Sequence, residues 1–277
     1  MKKTTFTQSL YVGAPNSADV RKESSYQTWL RVTTEKVLLQ FWLQDHLPTF
    51  VLSKQTNHEV HVLDLGCGFG HMSGRLIHVL LSMGLRINYT GVDPYPAQLD
   101  QFQRSAIASP NLTLRLLKGD ASSHVPDRDY DLVFASHMLY YVENWSDVLT
   151  RIVGAGNEII IVHHGHRGIN TIHEHFRDHI HPGPHIISTD DQVTDALRLL
   201  PLNGRQVVHR RFPSTVAVRA CQLPGSRAGN NLISFFLETP FKEIDPLVVQ
   251  NIRTFMRDLY APDHLMVHDV GVITIRP

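Results

Sequence analysis

Three glycines at every second position, Gly66, Gly68 and Gly70, follow an apolar run that carries Asp64 near its end, in the stretch VHVLDLGCGFG. A buried strand that runs into a glycine turn at a helix N-terminus makes a nucleotide-binding site, because free backbone N–H groups point at the ligand there. Side chains at the three glycines would keep a ligand off the backbone and would exclude the left-handed dihedrals of a tight turn. Asp93 stands 29 residues after Asp64, at the tip of the next apolar run. A carboxylate at that place accepts hydrogen bonds from both hydroxyls of a ribose; its competing use is to cap the helix that begins after Pro94. Asp120, in Gly119-Asp120-Ala121-Ser122, offers an acceptor to an adenine amino group, and Ser122 can bond a ring nitrogen. The competing use of that segment is an ordinary turn.

Histidine is the second source of chemistry, with 18 residues, eight of them between His163 and His185. His175 and His179 stand i, i+4 on an expected helix and could share a metal with Asp178, His181 or His164. The segment HEHFRDHIH does not have the H-E-x-x-H spacing of a helical metallohydrolase. The expectation is therefore a solvated, histidine-rich helix and no bound metal.

The elements that must position these residues follow from periodicity. Strands are expected at Val60–Leu65, Arg86–Val92, Leu112–Leu117, Asp129–Ala135 and Glu158–Val162. Helices are expected between them at about 71–83, 96–106 and 144–152, and this alternation means a parallel sheet covered on both faces. Such sheets bind ligands at the carboxyl ends of their strands. Before this core, Tyr26, Trp29, Leu30, Val37, Leu38, Phe41, Trp42 and Leu43 mark one or two amphipathic helices that stop at Pro48. As a group these aromatics, Tyr26 included, can pack on the domain or line a substrate pocket. Residues 1–20 have no periodicity and read as a mobile arm. After His163 the pattern predicts helices at 169–179, 189–200, 232–238 and 246–259, strands at 206–212 and 215–219, a loop at 223–231 and a last strand at 265–275. The expected division is an arm and helices over 1–58, an α/β core over 59–163, and helices with the closing strands over 164–277; that the first is a helical lid and the last a cap is what the family resemblance below implies.

Composition bounds the partners. The chain of 277 residues has 26 basic and 26 acidic side chains, which argues against a nucleic-acid face. It has no apolar run of signal-peptide or membrane-span length, so a cytoplasmic protein without membrane contact is expected. Cys67 and Cys221 have no metal or redox spacing and read as free thiols. Oligomeric state is left open.

The elements DLGCGFG, VDP, KGDAS and DYDLVFASHMLYYV, in that order, resemble the class I S-adenosylmethionine-dependent methyltransferase family. The resemblance implies a doubly wound, mostly parallel seven-stranded sheet, Rossmann-like, with one reversed edge strand at 265–275, and S-adenosylmethionine as cofactor, with S-adenosylhomocysteine as product. The glycine spacing G-C-G-F-G differs from the G-x-G-x-x-G of NAD folds.

The flanking segments TTEKVLLQFWLQDHLP, HMLYYVENW, ISTDDQV and NNLISFFLET, with the final strand, are similar to the histamine N-methyltransferase family. For the cofactor, what that likeness implies falls on Gly66, Asp93, Gln98, Ser122 and Ser136. For the acceptor it falls on Glu35, Tyr140 and Tyr141, and on His137 and His268, which stand where the family has glutamine and asparagine. An imidazole in place of an amide changes the donors and acceptors offered to a substrate, and sites that bond their substrate discriminate sharply. Glu35 can hold a cationic group or take a proton; its plain alternative is a solvated helix-surface glutamate beside Lys36. The expected activity is methylation of a small molecule, most simply at an amine or imidazole-type nitrogen. A hydroxyl or carboxyl acceptor with His137 as base is the alternative, and a non-catalytic cofactor-binding or metal-binding protein is the reading of another class.

Overall fold

The computed structural model describes residues 23–53, 59–180 and 187–276. The expected arm over 1–20, and His181 and His185, lie outside the described residues. Cα packing divides the chain into two compact units. Unit one comprises residues 1–36, 165–183 and 213–269, and unit two residues 37–164, 184–212 and 270–277.

Unit two carries the alternating pattern. Strand β1 (Glu59–Leu65) leads to helix α3 (His71–Ser82), β2 (Arg86–Asp93), α4 (Pro96–Ser105), β3 (Leu112–Lys118), β4 (Tyr130–Ser136), α5 (Trp145–Ala155), β5 (Gly156–His164) and α7 (Asp190–Arg198). These bounds follow the expected ones closely. Strand β2 pairs in parallel with β1 and β3, and β4 pairs in parallel with β1 and β5. Strand β7 (Leu265–Arg276) runs antiparallel to β5, with Ile159 opposite Ile275 and His164 opposite Val270. Among the described residues the sheet has seven strands in the order β3-β2-β1-β4-β5-β7-β6, where β6 is Gln206–Ala217. The order reverses between β1 and β4, which is the topological switch point where ligands bind. Val62, Leu63, Leu132, Val133, Ile159, Ile160 and Ile161 are buried, as strands covered on both faces require.

Helices α1 (Ser25–Val32), α6 (Ile169–His175), α8 (Arg219–Gln222), α9 (Arg227–Phe236) and α10 (Pro246–Tyr260) belong to unit one. Their apolar faces, with Trp29, Ile172, Leu232, Phe236, Ile252 and Met256, form one buried cluster. Ser24 and Gln27 cap α1 reciprocally.

The reversed strand β7 is not at the edge of the sheet, as the resemblance implies, but lies between β5 and β6, which takes the edge position. Four local expectations are corrected as well. Helix α2 (Glu35–Ser53) does not stop at Pro48 but passes through it; Leu39, Trp42, Leu43, Leu47 and Phe50 recur at helical spacing and are all buried, which outweighs the hydrogen bond lost at proline. Strand β6 is continuous across Pro213, since it is the last strand of the order and an edge tolerates a missing donor. Helix α9 begins inside the expected loop over 223–231, because Ser226 caps it by accepting from the Gly229 N–H at 3.1 Å. Helix α6 ends at His175 and gives way to a 3-10 turn over Arg177–His179, so His175 and His179 do not line up as i, i+4 ligands. The two cysteines are free and buried. Among the described residues no helix is long and apolar enough to cross a membrane.

Candidate active site

The glycine turn is built as its spacing requires. Gly66, Gly68 and Gly70 have φ of +73°, +54° and +81°, conformations that cost little only without a Cβ. Their surroundings refine the expected role. A Cβ on Gly66 would run into Met138 and one on Gly70 into Phe102, so the protein's own side chains take up those close approaches. At Gly68 the nearest atom is Gln98 Oε1, 3.1 Å from where a Cβ would stand. The turn is tied to the tip of β2, since the Gly66 and Cys67 N–H groups both donate to Val92 O, at 2.8 and 3.2 Å. Gly70 is the left-handed N-cap of α3.

Two carboxylates flank this turn within unit two, and they differ in use. Asp64 lies in the core, where its Oδ2 accepts from Ser73 Oγ at 2.5 Å and from the Tyr89 hydroxyl. Burial pushes its acid up to about 6, against the pull of those two donors. Asp93 ends β2 and is 5% exposed. Its Oδ2 accepts from the Gly68 N–H and its Oδ1 from the Tyr95 N–H, both at 2.9 Å. Burial raises this acid as well, to about 6, opposed by the two backbone donors and helped by the nearby charge of Asp120. The cap and the ligand site are therefore not exclusive: Asp93 holds both the helix entry and the glycine turn, and each carboxylate oxygen has a further lone pair.

Gln98, on α4, is buried. Asp120 follows β3, is exposed, and accepts the Ser122 N–H at 2.8 Å; the Gly119 N–H donates to Asp93 O at 3.1 Å, which joins this turn to the tip of β2. Ser136 is the last residue of β4, and its Oγ is buried without a hydrogen-bond partner among the described residues. An unspent hydroxyl at the switch point, beside a glycine turn and an aspartate at the strand ends, is a donor set that suits a polar nucleoside cofactor.

Past Ser136 the chain turns sharply. His137 has φ of +56°, uncommon for a residue with a Cβ, and its N–H donates to Val162 O at 2.9 Å, one step beyond the β4–β5 ladder. Tyr140 and Tyr141 sit on a single 3-10 turn, Leu139–Tyr141, with ring centroids 4.6 Å apart. The sequence treats His164 only as a candidate metal ligand and gives His163 no role, yet both rings belong to this cluster. His164 stacks on Tyr140 at 4.8 Å and 24° and lies 4.9 Å from the His137 ring. His163 is 5.4 Å from Tyr140, and its Nε2 bonds Ser188 Oγ at 2.9 Å. Two imidazoles at the carboxyl end of the strand next to β4 were the signal for this.

In unit one Glu35 is 1% exposed and His268 0%, so the solvated-surface reading of Glu35 is wrong. Glu35 Oε2 lies 3.2 Å from His268 Nε2, and Lys36 pairs with Oε1. The Ile169 N–H points at His268 Nδ1 from 3.5 Å. Trp29 meets the His268 ring edge-on at 5.3 Å. Gly168, at φ +94°, passes so close to His268 that a Cβ would collide with it. The spacing of 233 residues between Glu35 and His268 hid this pair. Tyr26 is half-buried, with Phe235 at 5.9 Å.

Comparison with known proteins agrees with this geometry. Residues 63–155 match the model of a methyltransferase domain, a span that runs from within β1 to the last residue of α5. Histamine N-methyltransferase of Xenopus tropicalis is 24% identical over 275 residues, 91% of each chain. Among solved structures, the YcgJ protein of Bacillus subtilis shares the fold at a TM-score of 0.54 and 13% identity, covering 83% of this chain and 97% of its own. Magnesium protoporphyrin IX methyltransferase of Synechocystis PCC 6803, with bound SAH, does so at 0.53 and 13%, covering 99% and 94%. A glycine turn and strand-end acceptors at the switch point of a sheet of order 3-2-1-4-5-7-6, under that domain match, make the chain a class I S-adenosylmethionine-dependent methyltransferase, distantly related to histamine N-methyltransferase.

Proposed function

We propose that the enzyme methylates a nitrogen of a small amine or imidazole-type compound. The observation that carries this reading is the ring cluster of His137, Tyr140, Tyr141 and His164 directly after Ser136. Electron-rich ring faces hold a cation or another planar ring, and a neutral nitrogen needs no strong base to attack. S-adenosylmethionine supplies a methyl group on a sulfonium, open to in-line displacement. The work left to the chain is positioning and exclusion of water.

In this reading Asp93 accepts from the ribose hydroxyls, Asp120 and Ser122 meet the adenine, and Gln98, Ser136 and the Gly66–Gly68–Gly70 turn hold the remainder of the cofactor. Asp64 fixes the turn from beneath through Ser73 on α3. His137, Tyr140 and Tyr141 face the acceptor. Tyr26, Glu35 and His268 enter the acceptor's binding set through family likeness, and the relative named an N-methyltransferase supports nitrogen over oxygen.

Methyl-labelled cofactor, a panel of biogenic amines, imidazoles, phenols and small carboxylates, and mass spectrometry of the product test the reading. An N-methyl product is expected. His137→Asn, which tolerates the left-handed backbone, should lower turnover by at least tenfold while cofactor affinity stays within twofold. An O-methyl product would overturn the nitrogen assignment and make His137 the base. Loss of cofactor affinity in step with turnover would instead move His137 to the cofactor.

A further inference from the structure

We propose that His164 is a positioning residue for the acceptor, acting through Tyr140; the inference rests on the reading of the ring cluster given above. The two phenols stand on a weak support. Their 3-10 turn is three residues long, and the backbone bonds that close it are Tyr141 N–H to Met138 O and Val142 N–H to Leu139 O, each 3.0 Å. Such a turn has poorer hydrogen-bond geometry than an α-helix. His164 stands on the opposite kind of support. It ends β5, an interior strand of the sheet between β4 and β7, and its backbone is in register with Val270 of β7. Its ring is buried and lies nearly parallel to that of Tyr140, 4.8 Å away. The neighbouring His163 is fixed by Ser188 and also borders Tyr140. The strand end is thus the wall against which the short turn's phenol is set, and a site is only as exact as the shell that holds it.

The position asks for a flat ring, because an offset-stacked pair restrains the tilt of both members in a way that a branched aliphatic side chain does not. His164→Phe keeps a ring, while His164→Leu keeps comparable bulk without one. With histamine, tryptamine and tyramine as probe amines, His164→Leu is expected to raise KM for whichever is methylated by about tenfold or more, with kcat and cofactor affinity within threefold of wild type. His164→Phe is expected to restore most of the loss. A second readout needs no acceptor. In protein labelled with 3-fluorotyrosine, the fluorine resonance of Tyr140, assigned through Tyr140→Phe, should keep its shift in His164→Phe and move toward the value for a solvent-exposed tyrosine in His164→Leu. If Phe and Leu behave alike in the fluorine spectrum, or if Leu leaves KM at the wild-type value, the proposal is overturned. If no probe amine is methylated by the wild type, the nitrogen reading fails separately, and the fluorine contrast still decides the role of His164.

Discussion

Cofactor affinity should depend on pH through Asp93, and the structure sets the size of the effect. The acid sits at about 6 in the cofactor-free protein, raised from 3.8 chiefly by burial. Because its value in the fold lies above its unfolded value, its contribution to stability is complete below about pH 3.8 and is lost as pH rises through 6. In the proposed assignment, ribose hydroxyls donate to the charged form and reverse that preference. Binding therefore requires the carboxylate, and the apparent Kd scales as one plus the ratio of protonated to ionised Asp93. Between pH 7 and pH 5 affinity should weaken about tenfold, which is about 1.4 kcal/mol, with about half a proton released per cofactor bound at pH 6.

Isothermal titration with S-adenosylmethionine at pH 5, 6 and 7, in two buffers of different ionisation enthalpy, measures both quantities. Asp93→Asn should abolish the slope and lower affinity at pH 7 by about 1 to 3 kcal/mol, since a charged hydrogen bond is lost and the new amide sets an N–H against the Gly68 or Tyr95 donor. Asp64 titrates in the same range, so Asp64→Asn is the control and should keep the slope. A wild-type Kd that is flat from pH 5 to 7, or Asp93→Asn binding as well as wild type, would refute the ribose assignment.

Other outcomes follow from the same geometry. Asp64, raised to about 6 by burial, should make wild-type unfolding midpoints fall between pH 4 and 7, and Asp64→Asn, which still accepts from Ser73 and Tyr89, should remove up to about 3 kcal/mol of that dependence; identical pH profiles in urea would sink the argument. Glu35→Ala and His268→Ala each break a buried pair and should cost about 3 kcal/mol, while the double variant should cost clearly less than the sum, and additive losses would show no coupling. Gly70→Ala collides with Phe102 at positive φ and should unfold the protein at a much lower temperature, whereas Gly74→Ala, a helical site with nothing within 4 Å, should raise stability by about 0.5 to 1 kcal/mol; melting curves of the two variants check the contrast.

The glycine turn, the place of Asp93 at a strand end and the parallel sheet were open to sequence reasoning because each rests on a local rule: where the chain needs positive φ, where a strand ends, where alternation turns into a parallel sheet; the place of β7 between β5 and β6 rests on long-range pairing and was not. The same rules misjudged Pro48 and Pro213. Proline weakens a helix or strand by a fixed local amount, but five buried side chains along α2, and an edge position for β6, decide the outcome. Helix α6 stops at His175 for a comparable reason, since Phe176 is buried and turns the chain there. None of these forces is visible from neighbours in the sequence.

The residues proposed for the acceptor were harder to read because they are arranged through side chains rather than backbone. Asp93 is held by two backbone N–H groups, and the turn around it by backbone bonds to Val92, so its geometry survives most changes of the surrounding residues. His137, Tyr140 and His164 are instead arranged by ring packing on a tight turn and one strand end. A substitution at any of the three changes the shape and donors of the cluster while leaving the cofactor turn untouched. A protein built in this way can drift in acceptor and keep its methyl donor. Such drift fits a relative that is 24% identical over nine-tenths of the chain. It also ranks the experiments: cofactor binding tests the turn that the backbone holds, and exchange at His137 or His164 tests the residues proposed to set the substrate.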